Sequence, residues 1–285
     1  MNMKRKQHIL PASYLMQWVD PATTIPGKTP MVWTISKDMK SRHARPPAAG
    51  HFWRDYFYDL ISQSGERRQN LEDLLGKIEG AFANIIQRRI PLKEPLAQVE
   101  AENLDLFVAC MFMRTQHMRQ SVVSAVSAMA RIEREHAASH GYPIPDTSVY
   151  EHNAHAHAIY DGILFISDHL STMAHNIFIA PVGKSYVTSD TPCVWQAPLG
   201  PLGLANPHLE IYLPLSPKHM LLISKSIPTS GYIEAKEFWV DQANWDTIRH
   251  CREYFIANSQ VVETCWQEGE ADRLQALLEG ALAMG

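Results

Sequence analysis

The chain has 285 residues, with 26 Lys and Arg against 30 Asp and Glu, 46% hydrophobic and 20% charged residues. The formal charge of -4 excludes a dedicated basic nucleic-acid coat and a polybasic membrane anchor. The apolar content excludes intrinsic disorder, and a chain this long buries roughly three quarters of its unfolded surface without disulfides or metal.

The N-terminus carries Lys4, Arg5 and Lys6, but the apolar stretch behind them is short and is broken by Pro11, so no signal peptide is expected. The densest apolar run, 106–113, is eight residues long, too short for a membrane span. Cys110, Cys193, Cys251 and Cys265 form no CxxC pair, the thiol usage of a reducing compartment. A cytoplasmic location is therefore expected.

In chain order, 1–60 reads as an irregular, aromatic-rich arm wrapping the core, with one short strand at 31–36. Asn70 is a plausible N-cap, and Leu71, Leu74, Leu75, Ile78, Phe82, Ile85 and Ile86 recur at helical spacing to about 89. A long helix is expected over 99–139, apolar on nearly all sides in its first half and therefore central. A third helix is expected over 153–175. Short strands follow at 177–181, 185–189, 209–213 and 220–224, then helices at 241–259 and 272–284. Helices before strands argue for an α+β fold, with central long helices packed against a small, mainly antiparallel sheet. The parts are an arm (1–60), a helical part (70–175), a strand part (176–240) and C-terminal helices (241–285), all within one domain.

Gly183-Lys184-Ser185 resembles the end of a P-loop, but Phe178 stands where the motif needs glycine. Histidines cluster between 136 and 175. Glu133, His136 and His140 share a helix face that could hold a metal, although His at a helix C-terminus also serves the last carbonyls. Glu234-Ala235-Lys236, with Asp190 upstream, matches half of a nuclease motif, at an interval long for it. Arg114 and Thr115 interrupt the central helix directly after the apolar run. A guanidinium there needs a carboxylate, a carbonyl cluster or an anionic ligand. Glu79 flanks the apolar face of its helix, and Asp190 before Thr191-Pro192 suits an Asx-type turn or a carboxylate presented at a strand end.

Several fragments recur together: His8, Pro11 and Tyr14-Leu15; Asp55-Tyr56-Phe57-Tyr58; Lys77-Ile78-Glu79; Arg114-Thr115; Thr188-Ser189-Asp190-Thr191-Pro192; and Tyr212-Leu213-Pro214-Leu215-Ser216-Pro217. Their order resembles the bacterial family known as domain of unknown function 4238, over about residues 6 to 258. Two positions depart from that pattern: Gln116 stands where a proline follows Arg-Thr, and Thr191 where the strand motif has Asn. Without the proline, nothing breaks the 99–139 helix. The resemblance implies a bacterial or phage-borne cytosolic protein and carries no substrate or cofactor with it.

Two readings follow. In the leading one, the chain is a regulatory or defence-type interaction protein and these residues are architecture. In the alternative, it is a phosphate-ester or nucleic-acid hydrolase. His8, Glu79, Arg114 and Asp190 would then be the catalytic groups, with Tyr14, Tyr58, Thr115, Thr188 and Ser189 contacting the ligand. A divalent metal enters only with that alternative. No membrane partner is expected, and net charge does not favour nucleic acid.

Overall fold

The computed structural model describes residues 5–68 and 70–262. The fold is α+β. Its helical layer comprises α1 (Ala12–Leu15), α2 (Asn70–Arg88), α3 (Gln98–Met113), α4 (Gln116–Ser139) and α5 (Ser148–Leu170), and α6 (Glu237–His250) comes late in the chain, before the last strand. In α3, Leu104, Phe107, Val108, Ala109, Cys110, Met111 and Met113 are buried on several sides, as its sequence demands. Phe107 stacks on Phe82 of α2 with ring centroids 3.7 Å apart.

The arm supplies β1 (Lys6–His8), β2 (Val32–Ser36), β3 (Arg42–Arg45), β4 (Trp53–Asp55), β5 (Leu60–Ile61) and β6 (Arg67–Arg68). The later strands are β7 (Ala174–Ile179), β8 (Thr188–Ser189), β9 (Val194–Gln196), β10 (Glu210–Ser216), β11 (His219–Ser224), β12 (Gly231–Glu234) and β13 (Tyr254–Ala257). They form a five-stranded sheet, β12-β7-β11-β10-β9, and a four-stranded sheet, β3-β2-β13-β8, beside the ribbons β1-β4 and β5-β6. All pairings are antiparallel except β12 with β7. Side chains alternate across the five-stranded sheet. Ile177, Ile211, Leu213, Leu221 and Ile223 join the main core with α2, α3 and α5. Phe178, Met220 and Tyr212 face the other way, into a second cluster with Val240 and Ala243 of α6.

Four expectations need correcting. The 99–139 helix is two helices. Arg114 ends α3, and Thr115 turns extended (φ -70°, ψ 153°), its hydroxyl accepting from the Met118 N–H at 3.2 Å. A threonine N-cap breaks the helix without proline. The helix expected at 153–175 starts at Ser148 and ends at Leu170, and β7 takes over from Ala174. The stretch 185–189 is a strand only at its last two residues. Asn244 holds the rest from its side chain, accepting from the Val187 N–H and donating to the Ser185 carbonyl, both at 2.8 Å. The helix expected at 241–259 stops at His250, and Tyr254–Ala257 becomes a strand between β2 and β8. The 272–284 helix, Cys265 and Lys4 lie outside the described residues.

Candidate functional site

The candidate residues fall into four groups. The first is built on Arg114, where α3 ends inside the core and the side chain is 1% exposed. Its guanidinium donates to Glu79 Oε1 at 2.6 Å, to the Tyr58 hydroxyl at 3.2 Å and to the His8 carbonyl. The Tyr58 hydroxyl donates onward to Glu72 Oε2 at 2.8 Å. Glu72 and Glu79 lie seven residues apart on α2, two turns along one face. The Gln7 amide oxygen accepts from the Tyr58 N–H at 2.7 Å and ties β1 to the same knot.

Burial opposes the charge on Arg114, but Tyr58, Cys110 and Glu79 facing it prevail, and its pKa lies well above the ordinary value. Burial likewise pushes the Tyr58 phenol up, against the pull of Arg114, so the ring stays neutral and donates. Within the Arg114 guanidinium, Nε alone lacks an acceptor. The remaining donor directions are occupied from within the fold, so this guanidinium has little left to offer an incoming anion. His8 enters the group through its main-chain carbonyl.

Asp190 makes no contact with that knot. Its carboxylate accepts from the N–H of Arg252 at 2.8 Å, Glu253 at 2.7 Å and Tyr254 at 3.3 Å, closing the turn that starts β13. Burial raises its pKa and the three N–H groups pull it back. Ser189 accepts from the Thr191 N–H at 3.1 Å, a local turn bond. Tyr14 and Thr188 form the third group. The Tyr14 hydroxyl, fully buried, donates to the Pro214 carbonyl at 2.7 Å and meets Thr188 Oγ1 at 2.6 Å. It pins the arm to both sheets. Thr115 is the α4 cap, alone.

The other motifs resolve similarly. Lys184, beside Gly183 (φ +88°), bonds both Asp241 oxygens at 2.8 Å. Glu234 pairs with Lys93 at 2.6 Å. The His140 ring bonds the His136 carbonyl at 2.9 Å, a helix C-terminal contact. Among the described residues no group of three His, Cys, Asp or Glu is placed to hold a metal.

Sequence reasoning missed two features. Asp105 and His175 meet at 2.6 Å in the core, the second Asp105 oxygen buried without a partner. Burial pushes the Asp105 pKa up. Its only signal was an acid at the edge of the apolar run. The second is a cavity between the five-stranded sheet and α6, lined by Glu210, Tyr212 and Asp246 among aromatic rings. The alternation of Glu210 and Tyr212 with Ile211 and Leu213 marked that face as the less apolar one.

These observations describe an α+β protein whose arm, helices and sheets are locked together through a buried arginine knot and a buried tyrosine junction. The chain belongs to the family described as "Protein of unknown function (DUF4238)", whose model matches residues 6–261. No curated protein and no solved structure matches the chain. No helix among the described residues is long and apolar enough to cross a membrane.

Proposed function

We propose that the chain is a non-catalytic interaction protein of regulatory type, making its contact through the α4–α5 hairpin. The observation that carries this reading is the apolar surface of that hairpin. Met129 and Ile132 on α4, and Tyr160, Leu164 and Phe165 on α5, are all more than half exposed. Exposed apolar side chains gathered on adjacent elements mark interaction surfaces in soluble folds. The burial of Arg114, and the use of Asp190 to hold backbone N–H groups, favour this reading over the hydrolase alternative.

Photo-crosslinking residues placed at Met129 and at Phe165 in the intact protein, in cells, test the reading, with Lys40 as an exposed control. The expected result is one discrete adduct common to both hairpin positions, missing at Lys40 and lost when Ile132→Glu is added. Adducts equal at all three positions, or none, would overturn it.

A further inference from the structure

The outer face of the five-stranded sheet is where a strand pattern leaves polar groups under cover. Glu210 and Tyr212 of β10, Met220 and Leu222 of β11 and Phe178 of β7 share this face, as the register Tyr212–Leu222 and Met220–Phe178 requires. Trp239, Gln242, Ala243 and Asp246 of α6 lie across from them. Between the two layers is a cavity of about 280 Å³. That is close to the lower end, about 300 Å³, of pockets that hold small molecules.

The lining is of two kinds. Phe178, Tyr186, Met220, Leu222 and Trp239 give it apolar, largely aromatic walls. Glu210 and Asp246 bring two carboxylates to the same space. Each has a neutral neighbour: the Tyr212 hydroxyl donates to Glu210 at 2.5 Å, and the Gln242 amide donates to Asp246 at 3.2 Å. Among the described residues no Lys, Arg or His forms an ion pair with either. Burial first, then Glu210 and Asp246, drive the Tyr212 phenol up, which places both carboxylates within electrostatic reach of one ring. Outside the lining, Lys236 Nζ lies 5.6 Å from the Trp239 ring centroid, so this ring already meets a cation.

Carboxylates without counter-ions in an aromatic pocket are poorly matched to an anion or to a neutral hydrocarbon. We infer that this cavity is a binding site for a small organic cation: a primary amine in its ammonium form, with an aromatic or branched-alkyl body. The ammonium sits between Glu210 and Asp246, and the body lies against Phe178, Trp239 and Met220. This inference rests on the sheet and α6 and does not depend on the role proposed for the hairpin.

Titration calorimetry and saturation-transfer NMR on the full chain test it with three probes: 2-phenylethylammonium, 3-methylbutylammonium and tryptammonium. At least one is expected to bind with a Kd of about 1 mM or tighter. The matching alcohol is expected to bind roughly tenfold more weakly, as is the same amine to Glu210→Gln or Asp246→Asn. An Asp38→Asn control should leave affinity unchanged. Failure of all three amines, or equal binding of amine and alcohol to the wild-type chain, would overturn the inference. The amine–alcohol comparison uses only wild-type protein, so a variant that fails to fold does not spoil it.

Discussion

Arg114 and Glu79 meet at 2.6 Å across 35 residues of chain, and the pair is lopsided: the arginine side chain is 1% exposed, the glutamate 23%. The two partners therefore do not carry equal risk. Losing Glu79 strands a charge that cannot reach water. Losing Arg114 leaves a carboxylate that can.

Glu79→Leu should accordingly destabilise the protein by about 3 kcal/mol, the range for an orphaned buried charge. Arg114→Met should cost less, about 2 kcal/mol, chiefly by leaving the His8 carbonyl and Tyr58 hydroxyl short of a donor. That lowers the melting temperature by several degrees. The double variant should recover part of the loss, because a well-packed apolar replacement removes the stranded charge. Urea unfolding of the three variants checks this. A Glu79→Leu protein as stable as wild type would show that the knot does not hold the fold.

The break between α3 and α4 makes a sharper prediction. Thr115 already has the extended backbone that a residue before proline adopts, and Gln116 is the first residue of α4, where proline is welcome. The Gln116 side-chain oxygen is buried without a partner. Gln116→Pro should stabilise the protein by about 0.5–1 kcal/mol, by narrowing the unfolded ensemble and removing that orphan. Thr115→Ala should cost about 1 kcal/mol through the lost cap. Thermal unfolding of both gives the signs; a clear loss in Gln116→Pro would mean that the turn needs more than a cap.

Much of the helical layer was legible because amphipathic spacing survives folding: the stripe from Leu71 to Ile86 marks α2 within a residue at its end. The α3–α4 break was not legible, since a threonine that caps and a threonine inside a helix are the same letter. Strand β13 is four residues long and starts one short turn after a helix, and β2 and β8 on either side make it a strand. Strands β3 and β6 are rich in arginine, which suits a solvated edge but carries no strand signature. Of the candidate residues, Arg114 could be singled out in the sequence, but its partners could not. Arg114 stood out because a guanidinium beside an apolar run must be answered; that Tyr58 and the His8 carbonyl answer it is a tertiary fact.

Asp190 offers a test of architecture against chemistry. Its carboxylate serves three backbone N–H groups, and an asparagine has one oxygen for that task and an NH₂ facing donors. Asp190→Asn should cost about 1–3 kcal/mol. The loss should be local: hydrogen exchange at Arg252, Glu253 and Tyr254 should accelerate more than in the α3 core. A variant with unchanged exchange there would return Asp190 to the list of residues kept for another reason.

The last prediction concerns pH. His155 is 1% exposed, and its Nε2 donates to the Met113 carbonyl at 3.1 Å while Nδ1 is buried without a partner. Burial chiefly, with Arg119 nearby, lowers its pKa to about 4, against the raising effect of the Met113 carbonyl. The folded state thus binds a proton less readily than the unfolded chain, whose histidine titrates near 6.5. Stability from this group is complete above about pH 6.5 and is lost as pH falls toward 4, by roughly 3 kcal/mol in all. Asp105 and Asp190, whose pKa values burial raises, act in the opposite sense, since each favours folding at low pH and loses that contribution as pH rises through its own pKa. The histidine contribution is therefore best read as a difference. Urea midpoints between pH 7 and 4 should fall more steeply in the wild type than in His155→Gln, which has no imidazole to protonate. Parallel curves would mean that His155 opens to water before it titrates, and that the contact between α5 and the end of α3 is looser than its burial indicates.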